Sequence, residues 1–173
     1  PALAVVAAPP MQRPREGVRR LMHELREMMT HQHENLRISH DSDEAEIGIW
    51  HGVLSCQAAS DIDLLYAGGA WRIVVRFPPE YPARPPSVYF VTPILHLNVS
   101  REGRVCHSAL DREYSPNLPM TFLLSNVASL LVAPDPNDPF NEPLAMEYNR
   151  SLNSCGQQPP PNIDTPYRVL VRK

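Results

Sequence analysis

Asn98 and Cys106 stand eight positions apart with Gly103 between them, in the stretch His96-Leu97-Asn98-Val99-Ser100-Arg101-Glu102-Gly103-Arg104-Val105-Cys106. A thiol in such a loop is a nucleophile when its thiolate is populated and reachable. A carboxamide beside it can donate to a developing oxyanion, or it can satisfy backbone groups and brace the loop. The spacing leaves both roles open. His107 follows the cysteine directly, but neighbouring side chains in extended backbone diverge, so a Cys–His pair is not expected. Cys56 and Cys155 have no such context and read as small buried hydrophobes.

The elements that must hold this loop are legible from periodicity. Arg15 to Thr30 predicts an amphipathic helix. Val18, Leu21, Met22, Leu25, Met28 and Met29 form its apolar face, and Arg19, Arg20, Glu24, Arg26 and Glu27 fall mostly opposite. Leu36–His40, Glu46–Cys56, Ala70–Phe77 and Ser87–Val91 read as strands. In the second, Ile47, Ile49 and Val53 face one way and Trp50 and Leu54 the other. Met120–Val132 predicts a buried helix opened by Pro119 and stopped before Pro134. Asn141 is placed to cap a last helix that runs through Leu152, with Pro143 in its first turn. Tyr167–Val171 suggests a terminal strand or docked tail. The order is that of an α+β fold in which helices cover an antiparallel meander. We divide the chain into a flexible leader at 1–14, a core at 15–155 and a tail at 156–173.

Composition narrows the function classes. The chain has 173 residues, 43% of them apolar, which suits one globular domain. A net charge of −3 argues against a protein held mainly by nucleic-acid phosphates. No apolar run is long enough to span a bilayer, and Pro1–Pro10 lacks the basic start and cleavage pattern of a signal peptide. Three cysteines without a C-x-x-C pair fit neither a disulfide framework nor a zinc site, and indicate a reducing compartment, cytoplasmic and/or nuclear. The seven histidines show no metal-ligand spacing. Twenty prolines against seven glycines predict ordered, non-repetitive loops at 78–93, 116–143 and 159–166.

Six segments, in order, resemble the ubiquitin-conjugating (E2) enzymes. They are Tyr66-Ala67-Gly68-Gly69-Ala70-Trp71, the proline-rich run Phe77 to Pro86, His96-Leu97-Asn98, Gly103-Arg104-Val105-Cys106, Tyr114-Ser115-Pro116, and Pro134-Asp135-Pro136-Asn137-Asp138-Pro139. The resemblance covers about Arg15 to Leu152. It implies the UBC-like fold, with an N-terminal helix, four-stranded meander, active-site loop, and central and C-terminal helices.

The resemblance also implies a chemistry. Cys106 would take ubiquitin, or a relative such as NEDD8, from an E1 activating enzyme as a thioester. It would pass this cargo to a protein lysine or an E3 ligase. Asn98 would serve the oxyanion or the loop. Asp138 matches the position of a carboxylate that positions the lysine and eases its proton loss. His96 and Tyr114 would brace the loop. No cofactor or metal is needed, because the thioester carries the activation. Leu97 and Tyr114 replace the family's proline and tryptophan, which keeps the polar and aromatic character of those sites. Ala83 and Asn117 stand where common members carry a bulky aromatic and a small apolar ligase contact, which points to other ligases. The tail Asn162–Lys173 is loosely similar to the NEDD8-conjugating branch. A non-catalytic E2-like scaffold and a thiol hydrolase are the alternatives from other classes.

Overall fold

The computed structural model describes residues 15–30, 35–39, 47–56 and 65–152. Helix α1 (Arg15–Thr30) leads into strands β1 (Leu36–Ser39), β2 (Ile49–Ser55), β3 (Ala70–Arg76) and β4 (Ser87–Phe90). A short 3₁₀ turn (Ser108–Leu110), helix α2 (Met120–Ser129) and helix α3 (Glu142–Ser151) follow. The strands form one antiparallel sheet in the order β1-β2-β3-β4. Trp50 pairs with Val75, and Val75 with Val88, so these three buried side chains share the core face. Leu123, Leu124 and Val127 of α2 cover that face. The α+β meander expected from alternation is therefore present, with strand ends shifted by one residue, or by three at the start of β2, where residues 47–48 form a turn. His40, Glu46, the leader and the tail from residue 153 onward, with the Tyr167–Val171 strand, lie outside the described residues.

Two differences from the expected elements have clear causes. Helix α2 stops at Ser129 instead of Val132, and residues 131–133 close short turns onto Ala128 and Ser129. In a continued helix the Leu130 carbonyl would be bonded by the amide of residue 134. Pro134 has no N–H to give. The His96 ring supplies the missing donor, with Nε2 2.9 Å from the Leu130 oxygen.

The second difference is Glu24, which is buried and not on the solvated face. Its Oε2 accepts the Met120 N–H at 3.1 Å, at the first residue of α2. Its Oε1 lies 2.5 Å from the Arg20 guanidinium, which also donates to the Leu118 carbonyl at 3.3 Å. An anion from α1 thus caps α2, where the helix dipole favours negative charge. Gly17 lets α1 approach the proline run closely: a Cβ there would sit 2.6 Å from the Tyr81 carbonyl oxygen. We expect Glu24→Ala to lower unfolding free energy by about 1–2 kcal/mol, because the buried Met120 N–H loses its acceptor and the half-buried Arg20 guanidinium its counter-ion. Urea denaturation measures this; a loss under about 0.5 kcal/mol would class the ion pair with exposed ones.

Candidate functional site

The eight-residue spacing is a tight hairpin. Val99 bridges Val105, Ser100 N–H donates to the Arg104 carbonyl at 2.8 Å, and Cys106 N–H donates to the Asn98 carbonyl at 2.9 Å. Gly103 turns it at φ +86°, a conformation that side chains rarely adopt. A Cβ there would also lie 2.1 Å from the Phe90 oxygen. The hairpin is pinned to β4 by Phe90 N–H to the Gly103 carbonyl and Val105 N–H to the Val88 carbonyl.

Asn98 is fully buried, and its amide is spoken for. Nδ2 donates to the Asp135 carbonyl at 2.7 Å and to the Asp138 carbonyl at 3.0 Å. Oδ1 accepts the Asp135 N–H at 2.9 Å. Two carbonyl acceptors and one N–H donor fix the orientation of the amide. These are the contacts that the bracing role requires. Both amide hydrogens are engaged with the loop that carries Asp138, and neither is free for an oxyanion.

His96 continues the brace. It is buried, and its Nδ1 accepts the Asn98 N–H at 3.0 Å while Nε2–H donates to Leu130. Burial holds its pKa down at about 4, against the pull of the Leu130 carbonyl, so the ring is neutral at physiological pH. Tyr114 donates its hydroxyl to the Pro82 carbonyl at 2.7 Å, which ties the segment after the cysteine to the proline run. His107 caps the 3₁₀ turn: its Nδ1 accepts the Ala109 N–H at 3.1 Å.

Cys106 is partly exposed, at the edge of an open groove of about 890 Å³. Its pKa is pushed up to about 11, first by desolvation, then by a hydrogen bond and charge from the Asp138 carboxylate and by the charge of Asp111, against Arg104. Uncharged, it is a thiol at neutral pH. Asp138 Oδ2 is 3.3 Å from the exposed Arg112 guanidinium, a partner that no sequence periodicity signalled. Ala83 and Asn117 are exposed. Cys56, by contrast, is buried, and burial raises its pKa. Cys155 lies outside the described residues. Among the described residues no group of three or more His, Cys, Asp or Glu is placed to hold a metal ion, and no helix is long and apolar enough to cross a membrane.

These features define an α+β domain that presents one loop-borne thiol beside a carboxylate on an amide-braced loop. Residues 20–157 match the model of the ubiquitin-conjugating enzyme family, and the chain belongs to that family. It is 37% identical over 129 residues to a probable bifunctional E2/E3 enzyme of Acanthamoeba polyphaga mimivirus. The match covers 75% of this chain and 10% of that protein, so the chain spans about a tenth of the length of this relative.

Proposed function

We propose that the domain accepts ubiquitin from an E1 enzyme as a thioester on Cys106 and hands it to a protein lysine or an E3 ligase. The supporting observation is the partly exposed Cys106 thiol with the Asp138 carboxylate at its side. In charging, the Cys106 sulfur attacks the carbonyl of the E1 thioester. A new C–S bond forms, the bond to the E1 sulfur breaks, and the E1 thiol takes the proton. In discharge, a neutral lysine amine attacks the new thioester, an isopeptide forms, and Cys106 is released. Asp138 positions the ammonium and receives its proton. Asn98 acts through the loop it braces. No cofactor takes part.

NEDD8 is the second cargo, supported by the tail alone. The cytoplasm and/or nucleus is the compartment that fits a free working thiol. The hydrolase reading needs a histidine base at Cys106, and His107 Nδ1 already accepts a backbone N–H. The scaffold reading predicts no thioester. A charging assay with the ubiquitin and NEDD8 activating enzymes side by side, read on a non-reducing gel, decides among these. A reductant-sensitive adduct with ubiquitin is expected; no adduct with either cargo overturns the proposal.

Asp138 has two opposed effects, which makes its variant informative. Its charge disfavours the Cys106 thiolate, so Asp138→Ala lowers the thiol pKa. We expect alkylation of uncharged protein by iodoacetamide near neutral pH to rise roughly threefold to tenfold. Discharge to free lysine falls roughly tenfold at the same pH and partly recovers as pH rises and the amine loses its proton unaided. If both rates stay put, Asp138 is only a helix-exit turn.

A further inference from the structure

The groove that ends at Cys106 is electrically lopsided. Arg76, Arg84 and Arg104 line it, and all three are exposed. None has an ion-pair partner among the described residues. The groove's carboxylates are Glu80, on the proline run beside Arg84, and Asp111, near the thiol. The strand register explains how the arginines converge. Tyr89 pairs with Val74 in β3 and bridges Arg104, while Arg76 pairs with Ser87. Arg76, Tyr89 and Arg104 therefore share the face of the sheet opposite the Val75–Val88 core face. The Arg76 guanidinium stacks over the Tyr89 ring, 5.3 Å from its centroid.

Polarity therefore changes along the groove. At the thiol, Asp111 and Asp138 bear on Cys106, an anionic end suited to an arriving ammonium. Elsewhere in its lining Arg76, Arg84 and Arg104 have no ion-pair partner among the described residues, and Arg76 rests on the Tyr89 ring. Arg104 is two residues from Cys106, and two residues of extended chain span about 6.6 Å. A peptide that delivers its lysine to Cys106 thus carries residues two to about four positions away across Arg104 and Arg76.

We propose that this groove selects acceptor segments with Asp or Glu a few residues from the target lysine. The proposal rests on Cys106 being the acyl carrier, and it adds the chemical class of acceptor. The occupant is an acidic peptide, because its carboxylates complement the arginines while its lysine meets the carboxylates at the thiol. A neutral or basic segment leaves the three guanidiniums unpaired.

The test uses the full chain, charged with ubiquitin, in single-turnover discharge to two synthetic peptides. Each holds one lysine, followed by glutamates in one and by glutamines in the other. The readout is the ratio of the two rates within each protein, which cancels any change in the reactivity of the thioester itself. Wild type should favour the glutamate peptide about fivefold or more at low salt, falling toward parity at about 0.5 M salt, where the screening length is a few ångströms. In R76E/R84E the ratio should drop to about one or below, with R76Q/R84Q as the milder variant should the first fold poorly. A wild-type ratio near one, or a preference that survives in the variants, overturns the proposal. A second measurement does not depend on charging. The glutamate peptide with norleucine in place of lysine is titrated with uncharged protein by fluorescence anisotropy. Binding that weakens roughly tenfold in the double variant supports the groove; equal or absent binding refutes it. Should no thioester form, the carrier role fails, and the anisotropy result still decides the groove.

Discussion

Cys106→Ala should abolish charging, by roughly a thousandfold or more, because under the proposed reaction the atom that holds the cargo is gone. Cys106→Ser forms an adduct that survives thiol reductant, since an oxyester does not exchange with thiols as a thioester does. Cys56 offers no substitute: it is buried behind the end of β2, and its amide and carbonyl bond the Gly68-Gly69 turn. The pH dependence follows from the site. The Cys106 pKa of about 11 lies above physiological pH, so the thiolate fraction of uncharged protein grows with every step of pH toward that value. Alkylation of the free thiol should accordingly rise nearly tenfold per unit between about pH 7 and 9. A rate that plateaus below about pH 8 would mean an activated thiolate and a different electrostatic frame. Equal charging of wild type and Cys106→Ala would assign the acyl carrier to another residue.

The raised pKa has a use in the proposed reaction. A carboxylate close enough to help a lysine lose its proton is also close enough to oppose a thiolate. The two tasks fall at different stages. Once Cys106 is acylated it carries no charge to repel, and the same carboxylate then acts only on the incoming amine. In the proposed reaction Asp138 would thus slow the free thiol's side reactions and serve the loaded one.

What the sequence made legible was mostly local. Alternation in Ala70–Arg76, the Asn141 cap, whose Oδ1 accepts the Leu144 N–H at 3.1 Å, and the Gly103 turn each depend on a few neighbouring residues. The end of α2 was also written locally, in the missing N–H of Pro134, but its consequence required knowing that His96 sits beneath it. Glu24 looked like one more solvated charge because its partner, the Met120 N–H, is 96 positions away. The direction of the Asn98 amide depended on carbonyls 37 and 40 positions away. The groove arginines came from three separate segments: the sheet register brings Arg76 and Arg104 to one face, and the proline run between β3 and β4 adds Arg84. Periodicity reports which face of an element is apolar; it does not report which polar groups meet across the fold.

The Asn98 bonds set up the second large effect. Asn98→Ala removes three hydrogen bonds and leaves the Asp135 N–H and two carbonyls unpaired in a partly buried site. The expected cost is about 2–4 kcal/mol of stability. Without the brace, Asp138 loses its fixed place beside the thiol. Discharge to lysine should fall roughly 10- to 100-fold, while charging changes by less than about threefold. Asn98→Asp sharpens the test. It keeps the shape and the acceptor for Asp135 N–H, but it sets an oxygen against the two carbonyls that Nδ2 now serves. It should be at least as unstable as alanine if bracing is the role. The two roles also differ in a double-mutant cycle with Asp138→Ala. If Asn98 works by holding the Asp138 loop, removing both residues slows discharge little more than removing Asn98 alone, because the first change already spoils the second. If Asn98 instead serves an oxyanion independently, the two losses multiply. Multiplicative losses, or equal slowing of charging and discharge, would remove the brace from the mechanism and require the amide to turn toward the thioester during the reaction.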